Sequence, residues 1–291
     1  MMKKINDIIG DAKTIGIAGH LRPDGDCMGS CMSLYNYLKK NRPDLDVRVF
    51  LEFVDKKFNI IENTDQIITT GYDGTKFDLF ISLDTASLDR LGLNLPFYEN
   101  AKRTACIDHH ASNDGYADYN YILPKASSAS EVLYDLLDED LIDKSIAEPM
   151  YMGIAHDSGV FRFQSTTPKT MRIAANMIEK GVNVNMILEE TFFRKTYNQM
   201  MVTAKIQSEA VLALDGKCIY GYCTSEMMEE YGVTTKDLDA VVASIRNVDG
   251  VEVAMFLYQL SEDSYKVSLR SKNYVDVSKI AVENGGGGHV R

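Results

Sequence analysis

No apolar stretch in this 291-residue chain approaches the ~20 residues needed to cross a bilayer as a helix. The start, Met1-Met2-Lys3-Lys4-Ile5-Asn6-Asp7, lacks the apolar run of a secretory signal, so the expected location is the cytoplasm and no membrane partner is expected. Cysteine is scarce. Its five copies are odd in number, irregularly spaced and form no Cys-x-x-Cys pair, which excludes a disulfide framework. Cys27 and Cys31, four apart on a helical pattern, and Cys218 and Cys223, in or beside a strand, read as buried thiols. Positive charge is short too: 31 Lys and Arg face 42 Asp and Glu, giving a net charge of −11. Non-specific nucleic-acid affinity comes mostly from clustered Lys and Arg, so a coat for long DNA or RNA is disfavoured. A small phosphorylated substrate held by a few local cations is not. Low-complexity segments and internal repeats are also missing.

What remains is an ordinary globular composition, 45% apolar and 25% charged. At ~150 residues per domain the length suggests two domains. The first half alternates helix and strand signals. Apolar runs at 14–19, 46–51, 78–83 and 103–107 read as strands, with helices over 3–12 and 27–40. Strands separated by helices imply a parallel α/β sheet. Helices dominate from 128 to 210, the first opened by a capping box of Ser128 and Glu131. From 217 the texture changes to strands at 217–223, 251–258 and 265–270, with turns at Gly250 and 261–264, as in a small α+β domain. The expected boundaries are 1–185, a helical connector at 186–212, and 213–291. The chain stops three residues after Gly285-Gly286-Gly287-Gly288, so either a second domain cut short or a disordered tail is expected.

Four polar clusters sit just past strands or at helix ends, where open α/β sheets bind ligands. In the first, His20, Asp24 and Asp26 lie on a turn with Pro23 and Gly25. The bland alternative is a polar turn with Asp26 capping the next helix. Asp84 follows the third strand and could be only a helix N-cap, with Thr85 or Ser87 sharing that role. Asp108-His109-His110 follows the fourth strand. Burying three ionisable groups there is costly unless something such as a metal compensates, and the alternative is an exposed loop. Asp157 ends an apolar helix and could merely pair with Arg162, while His156 reads as structural. Together His20, Asp24, Asp26, Asp84, His109 and Asp157 exceed the needs of one ion. They suit two ions roughly 3.5–4 Å apart, the arrangement used for in-line phosphoryl displacement. No Ser or Cys paired with a base stands out as a nucleophile.

This ordered set, His20-x-x-x-Asp24-x-Asp26, Asp84, Asp108-His109-His110 and Asp157-Ser158-Gly159, resembles the motifs of the DHH phosphoesterase superfamily. Gly285–Gly288 with His289 resembles the glycine-rich signature of the DHH-associated substrate-binding domain, and Ser268-Leu269-Arg270-Ser271 its phosphate-contacting strand. Phe161-x-Phe163 followed by Thr166-Thr167-Pro168 looks most like the nano-RNase A subgroup. The resemblance implies a manganese-dependent hydrolase, with Mg²⁺ or Co²⁺ as substitutes, acting on short RNA oligonucleotides or adenosine 3′,5′-bisphosphate. It implies an active cleft between the two domains and attack by a metal-bridging hydroxide. One ion would take His20, Asp24, Asp84 and Asp157; the other would take Asp26, Asp84, His109 and Asp157. His110 would contact the scissile phosphate and Asp108 would orient an imidazole. Arg246, Arg270, Ser271, Gly286, Gly287, Gly288 and His289 would bind substrate. Asn284 where an aromatic precedes the glycines, Ser158 in place of Thr, and the lack of a last helix and strand depart from the pattern. A dinucleotide phosphodiesterase, an inorganic pyrophosphatase or exopolyphosphatase, and a non-catalytic phosphonucleotide-binding module stay open as alternatives, as does a homodimer.

Overall fold

The computed structural model describes residues 4–238 and 241–286. They form two compact units, residues 1–194 and 195–291. In the first unit the elements run α1 (Ile5–Ile9), β1 (Thr14–Ala18), α2 (Gly25–Asn41), β2 (Asp46–Phe50), β3 (Leu79–Leu83), α3 (Leu95–Glu99), β4 (Thr104–Asp108), β5 (Tyr119–Ile122), α4 (Ala129–Leu136), α5 (Lys144–Asp157), α6 (Pro168–Glu179) and α7 (Val184–Leu188). All five strands pair in parallel, in the order β2-β1-β3-β4-β5. The expected α/β sheet is therefore there, with one strand more than the four apolar runs. β3 and β4 are buried at every position, as a sheet covered on both faces requires. The chain leaves β1 for β2 on one side and returns to β3 on the other. That reversal opens a crevice beyond the carboxyl ends of β1 and β3.

Close packing of α2 against α5 narrows the crevice. A Cβ on Gly29 would sit 2.5 Å from the Pro149 carbonyl oxygen and 2.8 Å from the Gly153 Cα. A Cβ on Gly153 would in turn sit 2.7 Å from the Asp26 Oδ1. Side chains at either position would push the two helices apart and move the carboxylates they carry. The Ser128 hydroxyl does accept from the Glu131 amide, at 3.0 Å. The box is half made, however: the buried Glu131 carboxylate turns to the Ser127 amide and hydroxyl and to Thr170 Oγ1 instead. Three polar donors there satisfy it better than one backbone N–H would.

The second unit runs α8 (Tyr197–Glu209), β6 (Val211–Ala213), β7 (Cys218–Cys223), α9 (Ser225–Tyr231), α10 (Val241–Arg246), β8 (Val253–Ser261), β9 (Ser264–Ser271) and α11 (Val277–Glu283). Its sheet has the order β6-β7-β8-β9 and is mixed: β7 and β8 are parallel and the outer pairs antiparallel. Ile219, Ala254 and Phe256 pack with Val202 and Ile206 of α8 and Val241, Val242 and Ile245 of α10. Residues 186–212 fall on both sides of the division, α7 with the first unit and α8 with the second. Cys27, Cys31, Cys106 and Cys223 are buried free thiols, and Cys218 is half-buried. Among the described residues no helix is long and apolar enough to cross a membrane.

Candidate metal centre

Each polar cluster is placed by the end of a regular element. β1 ends two residues before His20, and Asp24 is the N-cap of α2, its Oδ1 accepting from the Asp26 and Cys27 amides at 3.0 and 3.1 Å. The cap is thus Asp24 and not Asp26. Asp26 lies inside the first turn, fully buried, and accepts from the Ala129 amide, the Ser130 amide and the Ser130 hydroxyl at 2.6, 3.0 and 2.6 Å. Those amides begin α4, whose positive end stabilises the carboxylate.

Asp84 follows β3 directly, only 3% exposed, with a left-handed φ of 51°. That conformation costs a non-glycine residue on the order of 1 kcal/mol and persists where surroundings fix it. Here the Asp84 amide donates to the Ile107 carbonyl of β4 at 3.1 Å. Asp84 caps no helix. Its two oxygens face opposite imidazoles: Oδ2 lies 3.4 Å from His20 Nε2 and Oδ1 lies 3.6 Å from His109 Nε2.

The remaining groups extend the cluster on both sides. His20 Nε2 is 3.7 Å from Asp24 Oδ1, and its Nδ1 lies 2.7 Å from the Leu21 carbonyl. His109 Nε2 is 3.1 Å from Asp157 Oδ2, and ligand atoms of Asp26, His109 and Asp157 all lie within 4.8 Å of one another. Asp157 is the last residue of α5, where the helix dipole disfavours an anion. Arg162 does not relieve it, since its Nε donates to the Gly159 carbonyl. The structure therefore brings His20, Asp24, Asp26, Asp84, His109 and Asp157 together. His156 stays apart: its Nε2 lies 2.9 Å from Thr191 Oγ1, and its ring packs on Phe58 and Phe192.

Electrostatics follow from the crowding. Burial works against charge on His20 and His109. The carboxylates around both, with Cys27 beside His20, outweigh it and push each pKa up to about 12. Burial and then the repulsion of Asp84 and Asp157 push Asp26 well above the usual carboxylate range. Burial likewise raises Asp157, while the two imidazoles overcome burial to hold Asp84 low. In this cluster protons do the neutralising that a divalent cation does better. Two donor atoms bound to one ion at ~2.1 Å stand roughly 3.0–3.5 Å apart. Two of the observed separations, 3.1 and 3.4 Å, fall in that range, and the other two, 3.6 and 3.7 Å, lie just beyond it.

Asp108 and His110 form a second layer. Asp108 is fully buried at the end of β4, its Oδ1 2.8 Å from His110 Nδ1. Burial opposes its charge, but His110 and Asn113 hold its pKa down. The Asn113 Nδ2 donates to Asp108 Oδ2 at 2.7 Å and to the Thr85 carbonyl at 3.1 Å. Sequence reasoning missed Asn113, because an asparagine in a polar loop carries no periodic signal.

In the second unit, Arg246 Nη1 donates to the Ser271 carbonyl at 3.2 Å and Arg270 Nη1 to the Leu269 carbonyl at 2.9 Å. Ser271 is buried, and its hydroxyl donates to the Val275 carbonyl at 2.6 Å. The Gly286 amide closes α11 on the Ala281 carbonyl at 2.7 Å. Gly287, Gly288 and His289 lie outside the described residues. Glu252, also missed, is 4% exposed and accepts from the Asn273, Tyr274 and Val275 amides at 2.9, 2.7 and 3.1 Å.

A switch-point crevice lined by buried imidazoles and carboxylates has the donor set that metal-dependent hydrolases use. Comparison with known proteins agrees. Residues 14–154 match the DHH family N-terminal domain, and residues 215–291 match the DHHA1 domain. The chain belongs to the DHH family of phosphoesterases and is a hydrolase. It is 32% identical over 286 residues to a protein of Thermus thermophilus named bifunctional oligoribonuclease and PAP phosphatase NrnA, covering 95% of this chain and 82% of that one. Two solved structures share the fold. An exopolyphosphatase-related protein from Bacteroides fragilis superposes with a TM-score of 0.90 at 22% identity, covering 99% of this chain and 88% of that one. RecJ from Thermus thermophilus, in complex with Mn²⁺, gives 0.52 at 12% identity, covering 96% of this chain and 48% of that one.

Proposed function

We propose that the chain hydrolyses short oligoribonucleotides and removes the 3′-phosphate of adenosine 3′,5′-bisphosphate, using two divalent ions, Mn²⁺ before Mg²⁺ or Co²⁺. One observation carries the reading: Asp84 offers one oxygen to the His20 side of the cluster and the other to the His109 side, as a carboxylate bridging two ions can. His20, Asp24, Asp84 and Asp157 would hold one ion, and Asp26, Asp84, His109 and Asp157 the other. Bound there, such a pair lowers the pKa of water and offsets charge growing on a phosphate. The names of the curated relatives support the substrate class, and the RecJ structure supports Mn²⁺ as an ion this fold accepts.

The chain's own residues do the rest. Asp108 Oδ1 accepts a hydrogen bond from His110 Nδ1–H and leaves Nε2 as the atom for a phosphate oxygen. Burial opposes the proton on this ring, but Asp108 and Asp84 raise the His110 pKa. Catalysis is assigned to residues 1–185 and nucleotide binding to 213–291, with Arg246, Arg270, Gly286, Gly287, Gly288 and His289 as phosphate contacts and 186–212 as connector. Ser271 supports that strand through Val275. The reaction is placed in the cytoplasm.

A metal-supplemented hydrolysis panel tests this. It should contain adenosine 3′,5′-bisphosphate, di- to pentaribonucleotides, linear and cyclic dinucleotides, pyrophosphate and polyphosphate. Turnover of the first two classes, abolished by chelator and restored by Mn²⁺, is expected. Turnover of pyrophosphate and polyphosphate alone would overturn the reading.

A further inference from the structure

Cys27 is the third residue of α2, directly after Asp26. Its sulfur turns back under the end of β1. Sγ lies 3.9 Å from the His20 carbonyl and only 2.1 Å from where a Cβ on Gly19 would stand. One donor atom each from Cys27, His20 and Asp84 fall within 4.8 Å of one another, and all three residues are buried. Among the described residues no other cysteine joins such a group. The donor set on this side of Asp84 is thus sulfur, nitrogen and oxygen. On the other side, Asp26, His109 and Asp157 offer only nitrogen and oxygen.

That asymmetry matters because ligand softness selects metals. Carboxylates and imidazole suit Mn²⁺, whereas adding a thiolate favours Zn²⁺ and its heavier, softer relatives. We propose that Cys27 makes the His20 side of the cluster a site for a thiophilic divalent cation, Zn²⁺ or Cd²⁺, bound through Cys27 Sγ, His20 and Asp84 together. The proposal rests on reading His20 and Asp84 as metal ligands. Binding breaks the S–H bond, passes the proton to solvent and forms a sulfur–metal bond, with no change of oxidation state. A soft ion therefore displaces the hard one from this side and halts hydrolysis.

The test is a Cd²⁺ titration of the chelator-stripped full chain, read as thiolate-to-metal charge-transfer absorption in the ultraviolet. The wild type is expected to show a band saturating at one ion per chain. Cys27→Ser is expected to lack the band, Cys27→Ala serves if the serine variant does not fold, and Cys31→Ser keeps it. In Mn²⁺, the Cd²⁺ needed to halve the turnover of adenosine 3′,5′-bisphosphate should rise at least ~10-fold in Cys27→Ser, each protein measured against its own uninhibited rate. A band that persists in Cys27→Ser, or none in the wild type, overturns the proposal. Absorption does not depend on turnover. A chain that gives the Cys27-dependent band but hydrolyses nothing contradicts the proposed function alone.

Discussion

In the first unit, side chains from three other stretches of sequence gather around Asp84, and their charged atoms face one another. In the second, Arg246, Arg270, Ser271 and Gly286 each bond to a carbonyl of their own unit. In the first arrangement the carboxylates repel and one ends a helix at the wrong pole, a charge that a cation would offset. In the second, part of each donor set is already used on the unit's own backbone. Losses in the first unit should therefore appear as lost chemistry with stability kept. Losses in the second should appear as stability or weakened substrate binding.

The largest effect should come from Asp84→Ala. Turnover should fall well beyond the ~100-fold that removal of an outer-layer partner costs, while thermal melting stays close to wild type. An active, metal-replete Asp84→Ala protein would break the bridging assignment. Asn113→Ala should be milder. Removing the amide that holds Asp108 should cost ~10–100-fold in kcat, and it should shift the pH profile through His110. An unchanged profile would show that Asn113 serves only the loop.

The second unit should answer differently. Glu252→Ala strands three backbone amides and should destabilise that unit by ~3 kcal/mol in denaturant melts, leaving metal binding in the first unit intact. The pH responses of the two units should also be opposite. Burial opposes charge on Glu252, but its amide donors hold it down at about 2, from 4.5. Its contribution is full above about pH 4.5 and is lost as pH falls toward 2. In chelator-treated protein, His20 and His109 are raised from 6.5 to about 12. Their contribution is full below about pH 6.5 and is lost as pH rises toward 12. Thermal melts across pH check both signs. Added metal should remove the alkaline loss, because it replaces the imidazole protons.

Much of this was legible in the sequence, because β1 to β4 are apolar runs cut off by charged residues, and a period or its abrupt end survives in one dimension. β5 was not. Tyr119–Ile122 is short, half-exposed and alternates too weakly to stand out, although it closes the edge beside β4. β6 is three residues running on from α8 with one intervening residue. Glu252 sits inside the run 251–258 that reads wholly as strand, and only the fold shows that its carboxylate gathers the turn after β9. The half-made box at Ser128 teaches the same lesson. Local spacing finds the cap, but Thr170, 39 residues further on, decides where the Glu131 carboxylate goes.

The central claim is that Asp84 is shared by two ions. Electron paramagnetic resonance of the full chain titrated with Mn²⁺ tests it most directly. Two Mn²⁺ per chain with an exchange-coupled spectrum are expected, collapsing to uncoupled Mn²⁺ in Asp84→Ala. A wild-type chain that saturates at one ion, or binds two without coupling, would contradict it.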